Sequence, residues 1–227
     1  MFYHLLFPLK EFFSPLNVIS YITFRSIAAI ITSLFITFFL GKFIITSLKK
    51  MQIIQIIRTD GPSTHHAKAG TPTMGGVLIL ISLVISTFLW ARLDNPYIIW
   101  SIVCVLWLGF IGIVDDYLKI IKKNPKGIPP AWKLAGQIVF AFIISVYLYL
   151  WPQNSSYATA VNVPYLKDTY LELAGFYIIF AIIVIVGSSN AVNLTDGLDG
   201  LAIGNITISA FTYAIFAYLA GHSRFSH

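Results

Sequence analysis

Two acidic clusters stand out in a chain with few charges. Asp115 and Asp116 are adjacent, and Asp196 and Asp199 lie three apart within Asn190 to Ala202, N-A-V-N-L-T-D-G-L-D-G-L-A. Adjacent side chains fan about 100° apart on a helix, so two such carboxylates cannot face one point without a cation or a helix end to bring them together. At the water boundary, with no cationic partner in sequence, the pair suits a hard divalent ion. Mg²⁺ takes one or two carboxylates and completes its shell with water and phosphate oxygens. The lysines that follow, Lys119, Lys122, Lys123, Lys126 and Lys133, suit a polyanion, most simply a diphosphate. The plainer alternative is a helix that ends in acids before a basic cytosolic loop. Acids at a helix C-terminus oppose the dipole, which asks for a further reason.

The 190–202 stretch is polar and glycine-bearing between two long apolar runs. Such a loop is expensive in a membrane unless it sits in water. A helix starting near Asp196 would put Asp196 and Asp199 on one face. It would also offer free N–H groups and a positive dipole end to a ligand, while Gly197 and Gly200 would admit a close approach. The alternative is a plain capped helix start with Thr195 or Asp196 as the N-cap. A third candidate is G-T-P-T-M-G-G, Gly70 to Gly76. Pro72 stiffens it and Gly75-Gly76 turn it. Lys68, Thr71 and Thr73 could bind phosphate there, or the segment could be only a structured turn. His65-His66 reads as a surface pair.

These residues must be positioned by membrane helices. The chain has 227 residues, is 57% hydrophobic and 11% charged, and has a mean hydropathy of +0.80. Repeated apolar runs near 20 residues mark an all-α, polytopic membrane protein, read as a single integral-membrane domain over 1–227. A single cysteine, Cys104, excludes a disulfide framework and a thiolate metal cluster. P-loop, dinucleotide-binding and H-E-x-x-H motifs are absent. Residues 1 to 16 read as an interfacial stretch broken by Pro8 and Pro15. Six spans are expected, at about 20–48, with Arg25 snorkelling at its outer end, then 77–91, 97–114, 134–151, 170–187 and 201–220. Tyr97, Trp100, Trp132, Tyr149 and Trp151 fall near their ends, as an aromatic belt would.

The loops after spans one and three carry Lys49, Lys50, Arg58, Lys68, Lys119, Lys122, Lys123, Lys126 and Lys133, against Lys10, Arg25, Arg92, Lys167 and Arg224 opposite. The positive-inside rule puts the N-terminus outside and those loops in the cytosol. The net charge of +6 is thus explained by topology and does not imply nucleic acid. Counting spans brings Lys68, Asp115, Asp116, the lysines, Asp196 and Asp199 to one cytosolic face. The simplest chemistry for that face is Mg²⁺-assisted phosphoryl transfer from a soluble diphosphate to a lipid acceptor.

Three motifs in order, A-G-T-P-T-M-G-G at 69–76, V-D-D-Y at 114–117 and N-A-V-N-L-T-D-G-L-D-G-L-A at 190–202, give a resemblance over essentially the whole chain. It closely resembles the phospho-N-acetylmuramoyl-pentapeptide-transferases of bacterial peptidoglycan synthesis, a branch of the polyprenyl-phosphate N-acetylhexosamine-1-phosphate transferases. The resemblance implies transfer of phospho-N-acetylmuramoyl-pentapeptide from its UDP carrier to undecaprenyl phosphate, giving lipid I and UMP. It also implies Mg²⁺, the bacterial inner membrane, a cytosolic active face and a homodimer. By motif, Asp115 and Asp116 match the catalytic acidic pair, as candidate metal ligands too. Lys68 and Thr73 match residues lining the nucleotide-sugar site, and Lys119 matches the substrate-binding lysine three after the acidic pair. Asn190, Asn193, Asp196, Gly197, Leu198 and Asp199 match the loop around the uridine end.

One departure matters. Members of that family continue into further membrane helices with a third essential aspartate that contacts Mg²⁺ and a histidine-rich cytosolic loop. This chain ends after the sixth span with G-H-S-R-F-S-H, and His222 and His227 fall on the outer side. The expectation is therefore an N-terminal portion of the enzyme, with little or no activity in isolation. The alternatives are the sibling transferase that uses UDP-N-acetylglucosamine, a non-catalytic membrane fragment, and a transporter. The last is disfavoured by carboxylates at span ends and by spans unbroken at their centres.

Overall fold

A computed structural model describes residues 1–51, 73–122, 127–152, 158–163, 166, 169–196 and 200–221. Helices α1 (Phe2–Leu6), α2 (Ile22–Lys50), α3 (Gly76–Trp90), α4 (Pro96–Lys122) and α5 (Pro130–Leu150) are followed by a short hairpin, β1 (Ala160–Asn162) and β2 (Tyr170–Glu172). Then come α6 (Phe176–Thr195) and α7 (Leu201–Gly221). Among the described residues, five helices are long and apolar enough to cross a membrane: α2, α4, α5, α6 and α7. The fold is all-α and polytopic, as expected. The second expected span, α3, has 15 residues, roughly 22 Å at 1.5 Å per residue, short of a hydrocarbon core of about 30 Å. The chain divides into two compact units, Met1–Gly136 and Gln137–His227.

In the first unit, small residues let the helices meet. In lipid no hydrophobic force draws helices together, so close contact relies on residues with little side chain. The buried residue of α2 is Gly41, and those of α3 are Ser82 and Ser86. A Cβ on Gly41 would stand 3.5 Å from Leu78 of α3. The two serines return their hydroxyls to their own helix, Ser82 to Ile79 O at 3.0 Å and Ser86 to Ser82 O. They thereby bury no unpaired donor. On α4, Gly109 faces Leu80 so closely that a Cβ there would come within 2.6 Å of Leu80 Cδ1. The large apolar side chains point outward, including Phe38, Phe39 and Phe43 of α2, as lipid allows.

Pro8 and Pro15 break the N-terminal stretch as expected, dividing it into α1 and two 3₁₀ segments. Each sits in the first turn of a 3₁₀ segment, Phe7–Glu11 and Ser14–Ser20, where a missing N–H costs nothing. This stretch packs on the α3–α4 connection. The Tyr3 ring lies under two guanidinium groups, Arg25 at 4.8 Å and Arg92 at 5.1 Å. Arg25, expected to snorkel, is held by that aromatic face. Arg92 Nη2 donates to Asp94 Oδ2 at 2.7 Å, which holds the Asp94 carboxyl below the usual carboxylate range. Asn95 caps the start of α4, accepting from Tyr97 N at 2.9 Å.

In the second unit, α5 buries Gln137, Phe140, Ala141, Ile144 and Ser145. The expected polar loop after it contains the hairpin, with Ala160 opposite Glu172 and Asn162 opposite Tyr170. The fifth span was expected at about 170–187. Instead Tyr170–Glu172 form a strand, Ala174 takes φ 44, and α6 runs from Phe176 to Thr195.

Gly109 fixes how closely α3 and α4 approach. Gly109→Val would overpack that contact and should destabilise the chain by about 1–3 kcal/mol. Gly112→Ala, with nothing within 4 Å of its Cβ, should stay within about 0.5 kcal/mol of wild type. Denaturation of both variants in one detergent checks the contrast.

Candidate active site

The helix that carries the acidic pair continues two turns past it. The span was expected to end near Val114 with acids at its C-terminus, but α4 runs to Lys122. The dipole argument therefore does not apply to Asp115 and Asp116. The same extension corrects the reading that the pair lacks a cationic partner. Lys119 lies three and four residues on, where helical side chains are neighbours. Its Nζ stands 2.7 Å from Asp115 Oδ2 and 3.1 Å from Asp116 Oδ1. One ammonium thus does what adjacency on a helix forbids, drawing two diverging carboxylates to a common point.

Asp115 has a second restraint. Its Oδ1 accepts the backbone N–H of Ile128 at 2.8 Å, so both of its oxygens are engaged. The chain returns to it through Gly127, which takes φ +60. The Asp115 side chain is 13% exposed and that of Asp116 35%. Asp116 is therefore the more accessible acid. Among the described residues, no three of His, Cys, Asp and Glu gather into a metal site. Two carboxylates that already converge on one cation fit a hard divalent ion, provided water and phosphate oxygens complete its shell.

The second cluster sits where α5 meets α6. Asn190 is inside α6, not in a loop. Its Nδ2 donates to Gln137 Oε1 and to Val186 O, each at 2.8 Å, and Gln137 Nε2 donates to Ser189 Oγ at 3.1 Å. Gln137 is 3% exposed. Sequence reading missed it, although an amide within an apolar run was a visible signal. Asn193 lies one turn beyond Asn190 on the same helix. Asp196 is the C-cap of α6, with φ −77 and ψ 51, and its N–H donates to Val192 O. The following helix begins at Leu201 and not near Asp196. Neither Thr195 nor Asp196 is an N-cap, and Thr195 Oγ1 donates to Ala191 O within α6.

Thr73 stands just before α3, half-buried, and the turn into that helix is made by Met74 at φ 64, with Gly75 already helical at φ −59. Lys68, Gly197, Leu198 and Asp199 lie outside the described residues. The structure thus unites Asp115, Asp116 and Lys119 in one cluster, and Asn190 with Gln137 and Ser189 in another.

The model of glycosyl transferase family 4 matches residues 98–227, which include both clusters. The chain belongs to that family. A signature of phospho-N-acetylmuramoyl-pentapeptide-transferase matches residues 68–80, over the Thr73 segment. Among family 4 relatives, a phospho-N-acetylmuramoyl-pentapeptide-transferase of Endomicrobium trichonymphae is 56% identical over 227 residues, all of this chain and 63% of the relative. One of Desulfotalea psychrophila is 51% identical over 98% of this chain and 61% of the relative. One of Geobacter sp. strain M21 is 47% identical over the whole chain and 62% of the relative. The chain therefore spans a little over three-fifths of the length of these relatives. The resemblance read from the three motifs is borne out.

The Gln137–Asn190 contact should be worth about 0.6–1.7 kcal/mol, the range for hydrogen bonds between membrane helices. Gln137→Leu and Asn190→Ala should each destabilise the chain, and the double variant should lose less than the two losses added. A double-mutant cycle by denaturation in detergent measures this, and strict additivity would contradict the contact.

Proposed function

We propose that this family 4 chain serves the reaction for which its relatives are named. Phospho-N-acetylmuramoyl-pentapeptide passes from UDP to undecaprenyl phosphate, giving lipid I and UMP for peptidoglycan synthesis. The observation that carries the reading is the Asp115–Asp116–Lys119 cluster, two carboxylates converging on one cation near the end of a membrane-crossing helix. That is where a lipid phosphate and a soluble diphosphate could meet. By the distribution of basic residues, this end faces the cytosol of a bacterial inner membrane.

Asp115 and Asp116 would hold Mg²⁺, which in such reactions neutralises charge on the transferring phosphate. The protein's own part is positioning and charge. Lys119 is a compact, mobile cation on a flexible stem. It lowers the repulsion that two carboxylates would present to an incoming phosphate, and can pass to a phosphate oxygen when the donor arrives. Asp116, the more exposed acid, contacts Lys119 through Oδ1, which leaves Oδ2 for a ligand or a proton. Lys68 and Thr73 would line the donor site, and Asn190, Asn193, Asp196, Gly197, Leu198 and Asp199 the uridine end.

The test is UMP release in detergent with Mg²⁺, undecaprenyl phosphate and the UDP-linked muramoyl-pentapeptide. It is run on the chain and on its fusion to the part of the Endomicrobium relative outside the match. Release is expected from the fusion, falling about a hundredfold or more when it carries Asp115→Asn. EDTA should stop it and added Mg²⁺ restore it. Release from UDP-N-acetylglucosamine in place of the muramoyl donor would move the assignment to the sibling reaction. Full activity in Asp115→Asn would remove the acidic pair from the chemistry.

A further inference from the structure

We infer that Gly127 and the backbone N–H of Ile128 form a clamp that positions Asp115, and that position 127 must be glycine for the clamp to close. The inference rests on the proposed catalytic role of Asp115. Gly127 lies outside the three sequence motifs, and three observations single it out.

First, Gly127 takes φ +60, a left-handed conformation that a side chain makes costly. Second, the loop approaches the acid more closely than any side chain would permit. A Cβ on Gly127 would run into Asp115 Oδ1, and would lie 2.9 Å from Lys119 Cε and 3.0 Å from Asp115 Cγ. The intruding atoms belong to the acidic cluster itself, so a substitution displaces that cluster. Third, the approach delivers a bond. Ile128 N–H reaches Asp115 Oδ1 at 2.8 Å, across 13 residues of sequence. With Lys119 on Oδ2 at 2.7 Å, the carboxylate is gripped on both oxygens and cannot rotate without breaking one contact. By contrast, among the described residues Asp116 is engaged by Lys119 alone.

The two acids of one pair are therefore held differently, one fixed by the returning loop and the other able to move. Gly127 and Ile128 touch no substrate in this account. They act through Asp115 and are positioning elements. Catalytic geometry tolerates little displacement, and an error of about 1 Å can cost about a hundredfold in rate.

Two variants separate collision from backbone strain. Gly127→Ala adds both. Gly127→Asn keeps the Cβ, but asparagine tolerates the left-handed region far better. In the UMP-release assay both should lower kcat about tenfold or more, leaving KM for the UDP donor within about twofold. A simple turn defect would be relieved in Gly127→Asn and would not divide kcat from KM. The second readout needs no turnover. Hydrogen exchange at the Ile128 amide of the whole chain in detergent should speed up about tenfold in Asp115→Ala and in both Gly127 variants, with the α3 amides unchanged. Unchanged Ile128 exchange in Asp115→Ala would overturn the clamp, as would wild-type kcat in Gly127→Asn. If Asp115→Asn keeps full turnover while the exchange result holds, the clamp stands and the catalytic reading of Asp115 fails. A fusion without turnover removes the reaction reading and leaves exchange to decide the clamp.

Discussion

The end of α4 depends on reconciling two like charges that a helix points apart. Asp115 and Asp116 stand on a segment long and apolar enough to cross a membrane, where an uncompensated charge is costly. Lys119 meets both demands from one turn away. Its ammonium reaches an oxygen of each acid, leaving the triad with a single net negative charge in place of two. That balance suits a site for both a cation and phosphates. Two bare carboxylates would attract the first and repel the second, and a fully neutralised pair would hold neither in place.

Such a triad needs a helix that keeps its side chains in register, and neighbours that keep the helix in place. Hydrophobic burial contributes little to this, because the alternative to a protein contact is lipid of similar polarity. Shape does more. Gly41, Ser82, Ser86 and Gly109 let α2, α3 and α4 approach. In the second unit the buried face of α5 includes Gln137 and Ser145, and Gln137 bonds Ser189 and Asn190 of α6. The same residue types recur at both places for one physical reason. Small side chains permit contact, and amides and hydroxyls must find partners where water is absent.

Hydropathy revealed the helices and misplaced several of their ends. It locates the membrane boundary, and a helix is free to continue past that boundary because its hydrogen bonds are internal. Alpha4 goes on through Asp115 to Lys122, and α6 goes on through Asn190 to Thr195. Both extensions carry candidate site residues, so the error changed their chemistry. Lys119 became a partner of the acids only once the helix reached it. The start of α6 failed for another reason. Tyr170 and Leu171 run on into an apolar stretch, and only Ala174 at φ 44 and Gly175 mark the break. Three-residue strands carry too little alternation to be read as such. Gly127 was visible as a loop glycine. Its closeness to Asp115 was not, because that contact depends on where a loop returns in space.

Asn190 shows how a structural role can narrow a binding role. An amide side chain offers two hydrogens and one oxygen. Both hydrogens of Asn190 are committed, one to Gln137 Oε1 and one to Val186 O. Gln137 in turn donates to Ser189, so reversing either amide would set oxygen against oxygen or strand a donor. The network therefore fixes which way Asn190 faces. What remains for a ligand is the carbonyl oxygen, an acceptor. A group recognised there while the network holds must bring a hydrogen, as an imide N–H or a hydroxyl does, and a bare phosphate oxygen cannot. If α6 contributes to a nucleotide site, Asn190 then belongs to its base or sugar end.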